Sequence, residues 1–252
     1  MIEQALPEFV VELPGLPAKV WVEGTLPSLP GVAIVGSRRS TSYGNRVAAQ
    51  FAAAVVGCGW PVISGLARGI DGVAHRACLD AGGTGWAVLG SGLDTVYPKQ
   101  HESLARELIA TGGGLVSEYP PGTPPAPFRF PARNRIIAAL AEVTVVIEAA
   151  VDGGALITAR LALEMGKEVL AVPGDIDRPV SRGCNLLIRD GAHPVLGVDD
   201  LVELLSFALG PPPRQLSNRT SAQGVTIEAA LAQSEASVGE TLADLIRRQL
   251  SE

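Results

Sequence analysis

Gly31-Val32-Ala33-Ile34-Val35-Gly36-Ser37-Arg38-Arg39 sets the fold of this chain, read with the helix that follows over 43–56 and the run Pro61-Val62-Ile63-Ser64-Gly65. Five consecutive apolar residues, rather than an alternating row, mark a strand covered on both faces, as in a parallel sheet. A glycine ends the run, the helix closes at Gly57-Cys58-Gly59, and a second apolar strand begins. Further along, Ile70, Val73, Ala74, Ala77, Cys78 and Ala81 fall at helical spacing. Trp86-Ala87-Val88-Leu89 is a strand that leads into Gly90-Ser91-Gly92 and a helix near 99–110. Leu115-Val116-Ser117-Glu118 reads as a strand, 119–131 as a proline-rich loop, and 132–141 as a helix. Strand Val143-Thr144-Val145-Val146-Ile147, helix 154–165 and strand Val169-Leu170-Ala171-Val172 complete the series. Such alternation predicts an α/β protein with a doubly wound, mostly parallel sheet of extended Rossmann-like type over 31–208. Its ligand site is expected beyond the carboxyl ends of the strands, at the topological switch point.

Outside that span, 1–30 reads as a proline-punctuated extension with one strand candidate at 19–23. Residues 209–224, with Pro211-Pro212-Pro213, read as a linker. The last stretch, 225–252, is a short helical tail, too small to bury much core alone.

Composition narrows the function. With 47% hydrophobic and 18% charged residues, the 252-residue chain can fill a core and is not a disordered one. A net charge of −6 gives no global basic field. Cys58, Cys78 and Cys184 lie far apart without a C-x-x-C pair, and His75, His101 and His193 share no ligand spacing. Neither a disulfide framework nor a metal site is expected. The N-terminus lacks the basic and apolar regions of a signal peptide, and no stretch reaches the ~18 uninterrupted apolar residues of a membrane helix. The expectation is a cytoplasmic protein with no membrane span. There is no G-x-G-x-x-G, no G-x-x-x-x-G-K-[ST] and no G-x-S-x-G, so dinucleotide binding, P-loop hydrolysis and a serine nucleophile lack support. Ser64, Asp71 and His75 invite an enzymatic reading, but Asp71 near a helix start is better explained by the cap and the dipole.

What remains is a series of glycine-bearing loops. Gly36-Ser37-Arg38-Arg39, Ser64-Gly65-Leu66-Ala67-Arg68-Gly69, Gly90-Ser91-Gly92-Leu93-Asp94 and Asp152-Gly153-Gly154 each follow a strand. Gathered on one edge, they offer backbone amides and helix N-termini to phosphates; taken singly, glycine does no more than permit a turn. Cations stand beside them: Arg38, Arg39, Arg46, Arg68 and Lys99. Phe128-Arg129-Phe130-Pro131-Ala132-Arg133-Asn134-Arg135 interleaves rings with charge, which suits stacked bases and phosphates. The competing reading buries Phe128 and Phe130 and pairs the arginines with Glu118 and Glu148.

Ile34-Val35-Gly36-Ser37-Arg38, the segment from Ser64 to Asp71 with Ala74-His75, Gly92-Leu93-Asp94 with Tyr97-Pro98, Ser117-Glu118, Phe130 through Ile137, Ala149 to Arg160 and Ala171-Val172-Pro173-Gly174 resemble the DprA/Smf DNA-processing family, in order and continuously over about 20–205. The resemblance implies a non-enzymatic mediator without a cofactor. It would bind single-stranded DNA in natural transformation, load the RecA recombinase and help displace single-strand-binding protein. It implies DNA contacts at Gly36, Ser37, Arg38, Gly65, Lys99, Phe128, Phe130, Arg133, Asn134, Arg135, Gly153, Gly154 and Thr158. It also implies a homodimer through the region of Leu187 and Ile188. Three departures stand out. Only 20 to 30 residues precede the core where the family often has a helical domain, the tail resembles at most a truncated or degenerate winged helix, and Asp152 introduces a carboxylate beside the phosphate face. The alternative is a nucleotide-binding enzyme of the phosphoribohydrolase type, whose loop and glutamate Gly153-Gly154-Ala155, Thr158 and Glu148 partly match.

Overall fold

The opening apolar run is a strand buried along its whole length near the middle of a nine-stranded sheet, in a computed structural model that describes residues 1–10 and 15–210. The helical tail, and all but the start of the linker, lie outside the described residues. The strands are β1 (Ile2–Ala5), β2 (Lys19–Gly24), β3 (Gly31–Val35), β4 (Val62–Ser64), β5 (Gly85–Leu89), β6 (Gly114–Ser117), β7 (Ala141–Val146), β8 (Glu168–Ala171) and β9 (His193–Pro194). The helices are α1 (Ser42–Gly57), α2 (Ile70–Asp80), α3 (Glu102–Ala110), α4 (Arg129–Leu140), α5 (Gly154–Glu164), α6 (Pro179–Arg189) and α7 (Val198–Leu209).

The spatial order is β1-β2-β6-β5-β4-β3-β7-β8-β9. From β6 to β9 every pairing is parallel, while β2 joins β6, and β1 joins β2, antiparallel. The sheet therefore reaches into the N-terminal extension, where Trp21 stands opposite Ser117. Side chains alternate as a two-sided sheet requires. Val32 and Ile34 face α1, α2 and α7, whereas Ala33 and Val35 face α4 and α5. Trp86 and Val88 of β5 join that second layer, while Ala87 and Leu89 pack toward α3. From β3 the chain winds outward to β6, then returns to lay β7 on the other side of β3. The switch point lies between β3 and β7, and their following loops open a crevice there. Among the described residues no helix is long and apolar enough to cross a membrane.

Two segments depart from the sequence expectation. α4 begins at Arg129, inside the stretch read as a loop, with Pro131 in its first turn. Proline is tolerated there because first-turn N–H groups have no intrahelical partner to lose. α6 opens on Pro179 and contains Gly183, whose Cβ would come within 2.6 Å of Ala149 O and 2.8 Å of Ala150 O. The glycine there serves the close approach of α6 to the loop after β7.

The α2 histidine is a core residue. His75 is fully buried, and neither ring nitrogen has a hydrogen-bond partner. Burial, reinforced by His101 and Arg133 nearby, pushes its pKa down to about 3. The folded state then holds His75 neutral while the unfolded chain takes up a proton below pH ~6.5. Between those values the unfolded state binds more protons, so stability falls as pH drops, by at most about 1.4 kcal/mol per pH unit from this group. His75→Leu is expected to flatten that part of the curve, seen as a smaller difference in urea midpoint between pH 7 and pH 5 than in wild type. An unchanged difference would place the acid sensitivity elsewhere.

Candidate nucleic-acid interface

The loops after β3, β4, β5 and β7 meet on one edge, held from beneath by a buried arginine. Arg133 on α4 is only 3% exposed. Its guanidinium donates to Gly65 O at 2.5 Å and to Val88 O, and lies 3.9 Å from Asp71 Oδ2. Asp71 in turn accepts from the N–H of Gly65 at 3.2 Å and of Ala67 at 3.4 Å. It braces the loop after β4 and makes no cap bond to its own helix. A Cβ at Gly65 would fall on the Arg133 guanidinium, so the residue type follows from the arginine beneath it. Burial lowers Arg133 to about 10 and raises Asp71, the cost of desolvation exceeding their mutual attraction. Arg133 remains charged at neutral pH.

Glu148 does similar work for the loop after β3. Its buried carboxylate accepts from the Thr41 hydroxyl at 2.6 Å and the Thr41 N–H at 2.9 Å, while Thr41 caps α1 through Gly44 N–H. Ser64 is spent on Ile34 O at 2.6 Å and is fully buried, so it is no nucleophile.

Above this base lies the crevice between β3 and β7, about 410 Å³, lined by Gly36, Ser37, Arg38, Phe130, Asn134, Gly153, Gly154 and Thr158 among others. The start of α5 opens into it. Gly153 is the N-cap, no side chain makes a cap bond, and Asp152 leaves the first-turn amides uncovered. Asn134 Nδ2 donates to Gly154 O at 3.1 Å and fixes that turn against α4. A second recess of about 200 Å³ shares Arg38, Arg39 and Phe130 with the crevice and adds Arg68, Tyr97 and Pro98. A third, more open hollow of about 450 Å³ shares Arg68, Tyr97 and Pro98 with the second and adds Lys99. Arg38 is exposed, and its guanidinium lies 4.9 Å from the centre of the Phe130 ring. The Tyr97 ring meets Phe130 at 5.5 Å and 38°. Among the described residues, no carboxylate lies within salt-bridge distance of Arg38, Arg39, Arg68 or Lys99.

The structure thus brings most of the sequence candidates together around these recesses and leaves Phe128 and Arg135 outside their linings. Arg133 is buried and bonds backbone carbonyls beneath the loops, while it also lines both the crevice and the second recess. Arg135 grips Glu118 with two bonds of 2.6 and 2.7 Å and donates to Gly15 O. Phe128 stands clear of the crevice, 70% exposed at the helix start with Arg129 stacked 5.3 Å from its ring. Arg129 also lies over Tyr119 and donates to Pro124 O, which fastens the proline-rich loop. The dimer candidates lie on α6. Leu187 is 8% exposed and packs within the chain's own core, with Ile188 half-buried against it. Tyr97 stands in the Tyr97-Pro98 pair, and its exposure is not visible in a sequence.

The family model for DNA recombination-mediator protein A matches residues 1–206. The chain belongs to that family. Protein Smf of Escherichia coli (strain K12) is 47% identical over 195 residues, covering 77% of this chain and 52% of that protein. DNA processing protein DprA of Streptococcus pneumoniae is 38% identical over 209 residues, 82% of this chain and 73% of the relative. A solved structure of DprA from Streptococcus pneumoniae superposes with a TM-score of 0.75 at 37% identity, covering 80% of this chain and 73% of the other. A structure of the Helicobacter pylori protein, described for its single-stranded DNA binding mode, gives 0.71 at 27% identity over 80% and 93% of the two chains. The chain spans about half the length of several of the relatives it matches. A molybdenum cofactor binding protein from Rippkaea orientalis, 17% identical with a TM-score of 0.51, shares the fold alone.

Removing Arg133 leaves Asp71 buried without its cation, a loss of about 3–5 kcal/mol for a broken buried pair. Arg133→Ala is therefore expected to lower the urea-unfolding free energy by that order. A stability change within about 0.5 kcal/mol, the range of a surface substitution, would restore Arg133 as an outward-facing residue.

Proposed function

We propose that this chain binds single-stranded DNA along the loop edge and acts as a non-enzymatic recombination mediator. The observation that carries the reading is Arg38, exposed, without an acidic partner among the described residues, and held over Phe130 at the mouth of a crevice whose far wall is an uncapped helix N-terminus. A phosphate between the α5 amides and Arg38 meets partial and full positive charge from two sides. Arg39, Arg68 and Lys99 extend the cationic edge, and Phe128 offers an exposed ring to a base. The Helicobacter pylori relative, described for its single-stranded DNA binding mode, supports the same ligand.

Loading of RecA and competition with single-strand-binding protein belong to the same proposal and rest on family membership. Order-of-addition strand exchange, with oligonucleotide pre-coated by single-strand-binding protein, tests them: a mediator shortens the lag of RecA, and an unchanged lag removes the role. For a homodimer, exposed Ile176, Leu196 and Phe207 offer more surface than Leu187. The phosphoribohydrolase reading loses its base, since the Glu148 carboxylate is buried on Thr41.

A phosphate contact is indifferent to sequence and sensitive to salt. Arg38→Ala is expected to weaken oligo-dT and mixed-sequence strands alike and to reduce the slope of log K against log salt by roughly 0.7, one phosphate's share. Fluorescence anisotropy across a salt series reads both. Phe128→Ala is expected to cost about 1–3 kcal/mol with the slope intact. A base-dependent loss in Arg38→Ala would contradict the phosphate assignment.

A further inference from the structure

We infer that Tyr97 is a base platform, the point where a bound strand crosses from the recess holding Arg38 to the hollow holding Lys99. This rests on the single-stranded DNA reading and names a contact within it. Tyr97 is 47% exposed and lines both the recess holding Arg38 and the hollow holding Lys99. A backbone gripped at Arg38 and again at Lys99 must pass Tyr97. Phe130, the nearer aromatic, is half-buried and already meets the Arg38 guanidinium at 4.9 Å and the Tyr97 ring at 5.5 Å. Phe130 is thus a positioning residue that aims Arg38 and backs Tyr97. Tyr97 is the member of this cluster whose ring has exposed area for a base, and a ring already braced by a neighbour loses little freedom on stacking. Pro98 follows it directly and is buried, which anchors the backbone from which the tyrosine projects. Stacking on a π-face accepts any base, as a sequence-tolerant strand binder requires.

The test uses the full chain and an oligo-dT carrying one 2-aminopurine at successive positions. Wild type is expected to change the probe's emission sharply at one position, the base on Tyr97. Tyr97→Ala and Tyr97→Leu should both lose that signal and bind roughly 5- to 150-fold more weakly, with the salt slope unchanged because stacking releases no counterions. Tyr97→Phe should rescue signal and affinity together. Phe130→Leu should differ in kind, flattening the slope as Arg38→Ala does, though it removes no charge. Binding and probe signal retained in Tyr97→Leu, with Arg38→Ala still defective, would overturn the Tyr97 assignment and leave the DNA reading standing. A flattened slope in Tyr97→Leu, or failure of Tyr97→Phe to rescue, would also overturn it, in favour of an indirect role or a hydroxyl contact. Absence of any strand binding by folded wild type would overturn both.

Discussion

The loop edge depends on one buried guanidinium. Arg133 reaches from α4 to the carbonyls of Gly65 and Val88, so a single side chain ties a helix on one face of the sheet to the ends of two neighbouring strands. Asp71 closes the arrangement from the opposite face through α2. Such a pair contributes little net stability, because desolvation offsets the Coulomb gain. What it supplies is geometry. The bond to Gly65 O fixes the loop that carries Arg68, while the loop that carries Arg38 is held by Glu148 through Thr41.

Charge segregation follows from the same economy of partners. The chain is acidic overall, yet two groups of its basic residues stand in contrast. Arg76, Arg135, Arg178 and Arg189 meet carboxylates, and Arg133 is buried beneath the loops. Arg38, Arg39, Arg68 and Lys99 stand along one edge without acidic neighbours at bonding distance among the described residues. A local positive field therefore survives a net charge of −6, because potential at a surface depends on which charges are paired and where the unpaired ones collect.

The parallel sheet was legible because its strands are buried on both faces, which leaves uninterrupted runs such as Val32 to Val35 and Val143 to Val146 in the sequence. α6 was not legible: proline at its first position and glycine at its fifth resemble a broken loop, although the first is favoured there and the second serves packing against Ala149 and Ala150. The site was half legible. Glycines and arginines at strand ends marked the correct edge, since those positions follow from topology. Inward or outward direction did not follow, because Arg133 and Arg135 sit two residues apart on one helix and turn to different partners. The extent of stacking was hidden for the same reason: Tyr97 and Phe130 lie 33 positions apart in the chain and meet only through the loops that Arg133 holds.

That meeting bears on how so open a site would hold a strand under the proposed reading. A long arginine on a surface loop loses rotamer freedom when it grips a phosphate, and a flexible tyrosine loses freedom when a base settles on it. Here the guanidinium already lies over Phe130, and Tyr97 already leans on the same ring. The ordering cost falls on folding rather than on binding, and it is met by a loop framework fixed from below. Asp152 works in the opposite sense, placing a carboxylate beside the α5 amides without capping them. Under the proposed reading, a phosphate at α5 would be held less tightly than one at Arg38, and the grip on a strand would be strongest at the aromatic end of the crevice, where Phe130 backs Tyr97.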